Sequence, residues 1–470
     1  MESKIKENEQ GKVKFLLGKI GGALPIIVLF IMLALMSIFG YTGGKNFWAA
    51  TFFAIAIGFV LIKNKQDYEQ VLIDGLADKS LAMILLTFFI SGILSVLLTK
   101  GGLCDGLVYL AVAAKLPAGL MPVIIFFLCV LISTSTGTTS GTVAAATPVL
   151  LPLAVKLGCN PALVMGAIVS GGFFGDNLAP VSDTTIASAA TQETDVTSVV
   201  RSRLKYSLIA GGIAAILYIW QGFSTTVAVD TSAFSDPAML KGLFLFVCPV
   251  LLIVMMLKGK NFVNALMTNT ILAALICICL GKLNFDGFFG TDGAVAEGIG
   301  NCMSSTILCM LIFIVIRIMK VSGVFELLAE FAIKKCKTHK QAEAVVGVLA
   351  MLGSLMMGGA TYSIILSGGL TRNLMKNFKV ARTRGANILD GLACGTVGLL
   401  PYGGAVLFAA SQASATGLVD ASFNATNFIP YTYHCMLLIV VYWIAILTGF
   451  GAKFEDPAVV EAELKAKAEA

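Results

Sequence analysis

Two aspartates, Asp176 and Asp183, stand in the stretch Gly175-Asp-Asn-Leu-Ala-Pro-Val-Ser-Asp-Thr-Thr185, with apolar sequence on both sides. A polar break inside so long an apolar run predicts a membrane span interrupted near its middle. A bare charge at that depth costs at least about 2.5–3.5 kcal/mol, so a carboxylate kept there faces a cavity or a partner. In such a place a proton and a cation compete for the carboxylate, and that competition is the minimal chemistry of exchange. Ser182, Thr184 and Thr185, with Ser135, Thr136 and Thr138 of the run Ser133-Thr-Ser-Thr-Gly-Thr-Thr-Ser-Gly-Thr142, offer the hard oxygen atoms that sodium takes. The competing reading is plainer. Asp183 then caps a helix resuming at Thr184, Asp176 is structural, and the Gly/Ser/Thr run lets helices pack closely.

Other polar residues in apolar surroundings are fewer. Asp390 reads either as a partner for Arg382 or Arg384 or as a proton relay, and Tyr362, Ser363 and Tyr402 are the candidates for an organic-substrate pocket. His339 and His434, the two histidines, read as structural or interfacial, and Lys100 and Lys320 as snorkelling anchors. Glu326, Glu330 and Lys334 fall at helical spacing and read as a solvated face. No nucleophile motif, P-loop, dinucleotide fingerprint or zinc spacing is present, so neither an enzyme nor a cofactor is expected; Asp176 and Asp183 are the metal candidates, for sodium. The 11 cysteines are scattered and read as small buried hydrophobes.

The elements that must position these groups follow from composition and hydropathy. Of 470 residues, 57% are hydrophobic and 13% charged, where a soluble domain has roughly a quarter charged. The chain reads as an all-α polytopic membrane protein. Apolar runs of spanning length lie near 22–40, 46–62, 80–98 and 206–224, and again near 242–257, 262–280, 303–319 and 431–450. Shorter apolar arms flank a polar tip at 133–142 and a broken helix at 161–190; adding 221 places a second tip at 356–363 and a second broken helix at 382–411. The reading is two inverted repeats, 1–225 and 226–451, each with three scaffold helices, a re-entrant hairpin, a broken helix and a last helix, then a tail at 452–470.

Charge supplies the orientation. With both termini inside, 27 of the 33 lysines and arginines lie in inner segments, which places the N- and C-termini in the cytoplasm of a cell whose inner membrane holds the chain. Twelve full crossings, with each hairpin counted as two, leave the termini on the same side. The net charge of +6 is spread between spans and gives no reason to expect nucleic acid.

The stretch GGFFGDNLAPVSDTTIASA, residues 171–189, resembles the NhaC family of sodium/proton antiporters, whose members carry a similar Gly-Gly-x-Phe-Phe-Gly-Asp-x-x-x-Pro-x-Ser-Asp-Thr-Thr pattern. The resemblance implies sodium/proton exchange, with Asp176, Ser182, Asp183 and Thr184 as the site and a homodimer by analogy with the wider ion-transporter superfamily. The family also includes exchangers of organic acids and carriers of amino acids, so a sodium-coupled carrier of a small organic solute is the alternative. Asn177 stands where many members have lysine, which removes a possible internal counter-charge.

Overall fold

A computed structural model describes residues 13–38, 44–227, 229, 236–325, 336–420 and 422–455. The described residues are almost all helical, with two isolated β-bridges, Phe15 to Ile62 and Val380 to Phe454, in place of any strand. Among the described residues, eight helices are long and apolar enough to cross a membrane, and the bent pair 425–431 and 433–448, taken as one span, makes a ninth. Apolar side chains such as Phe52, Val60, Ile216, Trp220, Ile271, Leu275 and Leu447 stay exposed on the outer helix faces, while Arg203, Asp390, Arg384 and Glu343 are buried within. That inversion of the soluble pattern is the mark of a lipid-facing bundle.

The first half contains α1 (Leu24–Ile38), α2 (Gly44–Leu61), α3 (Lys65–Leu76), α4 (Lys79–Lys100), α5 (Leu103–Ala113), α6 (Met121–Thr136), α7 (Thr139–Lys156), α8 (Pro161–Leu178), α9 (Asp183–Thr191) and α10 (Val196–Thr225). The second half contains α11 (Val247–Leu257), α12 (Phe262–Cys279), α13 (Ala294–Ser322), α14 (His339–Met357), α15 (Ala360–Asn377), α16 (Arg382–Val397), α17 (Gly404–Ala415) and α18 (Tyr433–Thr448). Thr139, Pro161 and Asp183 begin α7, α8 and α9, and Ala360, Arg382 and Gly404 begin α15, α16 and α17, each 221 residues later. The short helices α3 and α5 are additions to the three scaffold spans expected in the first half.

The hairpin tips are tighter than the sequence suggests. The helix α6 runs through Thr136, and only Gly137 and Thr138 form the turn before α7. Ser135 and Thr136 return their hydroxyls to the carbonyls of Leu131 and Ile132, four residues back, which keeps the polar run helical. Gly137 ends α6 at φ 69° and donates to the Ser133 carbonyl; Gly358 ends α14 at φ 61° and donates to Ser354. Each tip docks on the break of the following span. A side chain on Gly137 would meet Val181 at 2.7 Å, and Gly404 N–H donates to the Gly358 carbonyl at 3.2 Å.

Several sequence expectations are corrected or displaced here. Lys100 is not a free anchor, because it pairs with Glu297 at 2.7 Å and donates to the Asp292 carbonyl. Glu326, Glu330, Lys334 and most of the tail lie outside the described residues. His434 is buried and stacked on Phe174 with ring centroids 4.4 Å apart.

Candidate functional site

The glycines of α8 fix where its aspartate sits. A side chain on Gly171 would come within 2.5 Å of the Phe126 carbonyl, and one on Gly175 within 2.4 Å of the Val130 carbonyl, so α8 lies directly against the backbone of α6. The same contact is tied by Ser133, whose hydroxyl donates to the Gly172 carbonyl at 2.6 Å. Asp176 follows at the C-terminal end of α8. Its Oδ2 accepts from the Thr139 hydroxyl at 2.7 Å and the Thr139 N–H at 3.2 Å, so it satisfies one of the free amides at the start of α7. Its Oδ1 is buried and accepts nothing from the described residues.

Asp176 lines a cavity of about 440 Å³ where the two tips and the two breaks converge. Thr138, Thr139 and Ser140 come from the first tip, Gly358, Gly359 and Tyr362 from the second, Thr184 from α9, and Tyr402 and Gly404 from the second break. Lys79, Met83 and Ile84 of α4 and Phe313 and Ile316 of α13 complete the wall, and Asp176 is its one carboxylate among the described residues. Asp183 is elsewhere. It is exposed, begins α9 with Ser182 as the preceding cap residue, and lines a second cavity of about 420 Å³ with Thr136, Gly137, Val181, Met256 and Lys260. Met83, Ile84, Thr138, Ser140, Gly404 and Ala405 line both cavities, so the two adjoin along α4, the first tip and the start of α17.

The remaining candidates divide in the same way. Thr184 faces the first cavity, and the Ser182 hydroxyl lies 3.0 Å from the Thr184 hydroxyl. Ser135 is exposed and lines neither cavity. Tyr362 and Tyr402 reach the first cavity, with the Tyr402 hydroxyl donating to the Leu355 carbonyl at 2.6 Å; Ser363 instead donates to the Ala350 carbonyl at 2.7 Å, inside the α14–α15 packing. A third cavity of about 280 Å³ lies towards the start of α13, lined by Asn301, Ser305, Ser414 and Asp420 among others.

Asp390 has neither expected partner. Arg384 pairs with Glu343 at 2.8 Å, Arg382 pairs with Glu455 at 3.0 Å, and Asp390 pairs with Arg203 at 2.7 Å with both side chains fully buried. Asn177 donates to Asp390 Oδ1 at 3.1 Å, Ser188 to Oδ2 at 3.2 Å, and the Cys394 thiol to Oδ1 at 3.1 Å. Arg203 also reaches the Asn177 carbonyl, the Thr185 hydroxyl and Asn387 Oδ1. Asn177 therefore sits beside a buried arginine of α10, whose charge is met by Asp390. In the sequence Arg203 stands between two other basic residues, Arg201 and Lys205. Its signal was the spacing Val199, Arg203, Tyr206, Ser207, Ala210, the buried face of α10.

Residues 6–223 match the sequence pattern of the Na+/H+ antiporter family, and this segment contains the first tip, Asp176, Asp183 and Arg203. Similarity to named antiporters extends beyond that segment. The chain is 23% identical to the malate-2H(+)/Na(+)-lactate antiporter of Bacillus subtilis over 86% of this chain and 88% of that one. It is 22% identical to the Na(+)/H(+) antiporter NhaC of Alkalihalophilus pseudofirmus over 73% and 80%, and 23% identical to the arginine/ornithine antiporter ArcD of Halobacterium salinarum over 75% and 79%. The segment that matches this pattern contains Asp176 of the first cavity and Arg203, while residues of the second half, among them Tyr362 and Tyr402, line the same cavity.

Proposed function

We propose that this chain exchanges sodium for protons across the cell membrane by alternating access, with Asp176 as the group the two ions occupy in turn. The observation that carries the reading is the split state of this carboxylate. One oxygen is anchored by Thr139, and the other accepts no hydrogen bond among the described residues, on the one acid they place in a cavity where two tips and two breaks meet. Sodium at Asp176 displaces its proton, and the hydroxyls of Thr138, Thr139, Ser140 and Thr184 are the nearby neutral oxygens. Asp390 is the fixed acid of the pair, since Arg203 and three further donors occupy it. Asp183, in the adjoining cavity, faces the same end of the bundle as Lys260 and belongs to the approach path.

The repeats 1–225 and 226–451 are inverted in this reading, and the tips re-enter without crossing, because each turns against the middle of a broken span. The cavity reaches Lys79 at the start of α4, among the basic residues assigned to the cytoplasmic side with both termini. The test is sodium-induced proton movement in proteoliposomes. Asp176→Asn should lower the rate at least about a hundredfold while the melting temperature stays within a few degrees of wild type, and a mutant that still exchanges at the wild-type rate overturns the assignment.

A second reading has its own observation. The first cavity is far larger than one sodium ion requires and presents the rings of Tyr362 and Tyr402, and two relatives are named for organic solutes, malate and lactate in one and arginine and ornithine in the other. Sodium-stimulated uptake of a labelled carboxylate or amino acid, without proton movement when the solute is omitted, would transfer the assignment to solute exchange.

A further inference from the structure

At the end of the bundle where α10 and α16 begin, a cavity of about 160 Å³ is lined by Arg201, Ser202, Lys205, Thr383, Arg384 and Lys453 among others. Four cations meet there. Arg384 is answered by Glu343, but Arg201, Lys205 and Lys453 form no ion pair among the described residues. Lys205 lies over the rings of Tyr206 and Phe450, with its ammonium 4.9 and 5.0 Å from their centroids. It is held there by Gly451, since a side chain at that position, φ +70°, would come within 2.0 Å of the nitrogen. Asp195, the acid nearest Arg201 in sequence, accepts from the Thr197 and Ser198 amides at the start of α10 and feels the charge of Arg201 without forming an ion pair with it. The neighbouring cluster is built differently, for Arg372 and Arg382 share Glu193 and Glu455. Charge is balanced on one side of the 449–455 segment and left positive on the other.

We propose that this cavity binds a phosphate-bearing anion, and that its occupant is the headgroup of an anionic lipid. Cations in excess of acids, three of the four without an ion pair among the described residues, joined by the hydroxyls of Ser202 and Thr383, are the donor set that a phosphate takes. The lipid source is favoured by what flanks the cavity: Leu204, Leu208, Leu447 and Phe450 are exposed beside it, an apolar strip on which acyl chains rest while the headgroup turns inward. The site is independent of Asp176 and of the ion exchanged.

The test is a melting series on the purified full-length chain in detergent with phosphatidylglycerol, with phosphatidylcholine or with inorganic phosphate, alongside Lys205→Gln and Arg201→Gln. Phosphatidylglycerol should raise the wild-type midpoint by several degrees, native mass spectrometry should retain one such lipid, and each variant should need at least about ten times more lipid for the same shift. The same shift from inorganic phosphate alone, lost in the same variants, supports the site and assigns it to free phosphate. Equal shifts in wild type and both variants, or equal shifts with phosphatidylcholine, overturn the proposal. So does a wild type that responds only after residues 456–470 are removed, because the cavity then belongs to the chain's own acidic tail.

Discussion

Arg203 and Asp390 are bound to each other by a simple asymmetry of energies. Breaking one member of a buried pair leaves an uncompensated charge, at a cost of about 3–5 kcal/mol, whereas replacing both with apolar groups is often neutral. Arg203→Met alone should therefore destabilise the purified chain by about that amount in chemical denaturation, and adding Asp390→Leu should recover most of the loss. A double variant no more stable than Arg203→Met would show that the pair is not the unit. Asp176 was legible in the sequence because a lone acid between a glycine and an asparagine inside an apolar run has few structural uses. Arg203 was not, because Arg201 and Lys205 on either side make it one more residue of a basic loop, and only the helical face it shares with Tyr206 and Ser207 separates it from them. The grouping of Asp176 with Asp183 rested on a gap of seven residues, and in space they line two adjoining cavities.

Glycine spacing on α8 sets how near two helices lie, and this is where the element scale can be tested. Gly175→Ala forces a side chain against the Val130 carbonyl at 2.4 Å and should cost about 1–3 kcal/mol, with exchange falling because Asp176 is the next residue. Gly212→Ala, on α10, meets nothing within 4 Å and should stabilise the chain by about 0.5–1 kcal/mol. Thermal melts of the two variants side by side distinguish close packing from a general intolerance of side chains. The helices themselves were partly legible: helices occupy most of the apolar runs, and the chain leaves helix between α8 and α9 and between α16 and α17. The first tip was overdrawn, since serine and threonine in a row suggest a loop, yet in an apolar setting their hydroxyls bond the preceding turn and the helix continues to Thr136.

Over the whole molecule, the first two cavities reach Lys79 and Lys260, and the third lies towards the opposite end of α13. Of the 11 cysteines, nine are buried, and only Cys279 and Cys336 have appreciable exposure, so a background lacking those two is nearly silent to thiol reagents. In it, Met83→Cys should react with a membrane-impermeant maleimide added on the side of the N-terminus and be slowed by sodium, whereas Ser305→Cys should react from the other side. Reaction of both from one side would refute the proposed orientation. Helix starts at 139, 161 and 183 recur 221 residues later at 360, 382 and 404, as the breaks in hydropathy do, whereas the pairing of Arg203 with Asp390 depends on contacts between α10 and α16 that no local pattern records. The Arg203–Asp390 pair has a further, electrical consequence. A moving body that contains both carries no net charge from them, and Asp176 is neutral whether it holds sodium or a proton. A cycle completed at this site alone therefore passes no current, and its direction is set by the two concentration gradients and not by the membrane voltage.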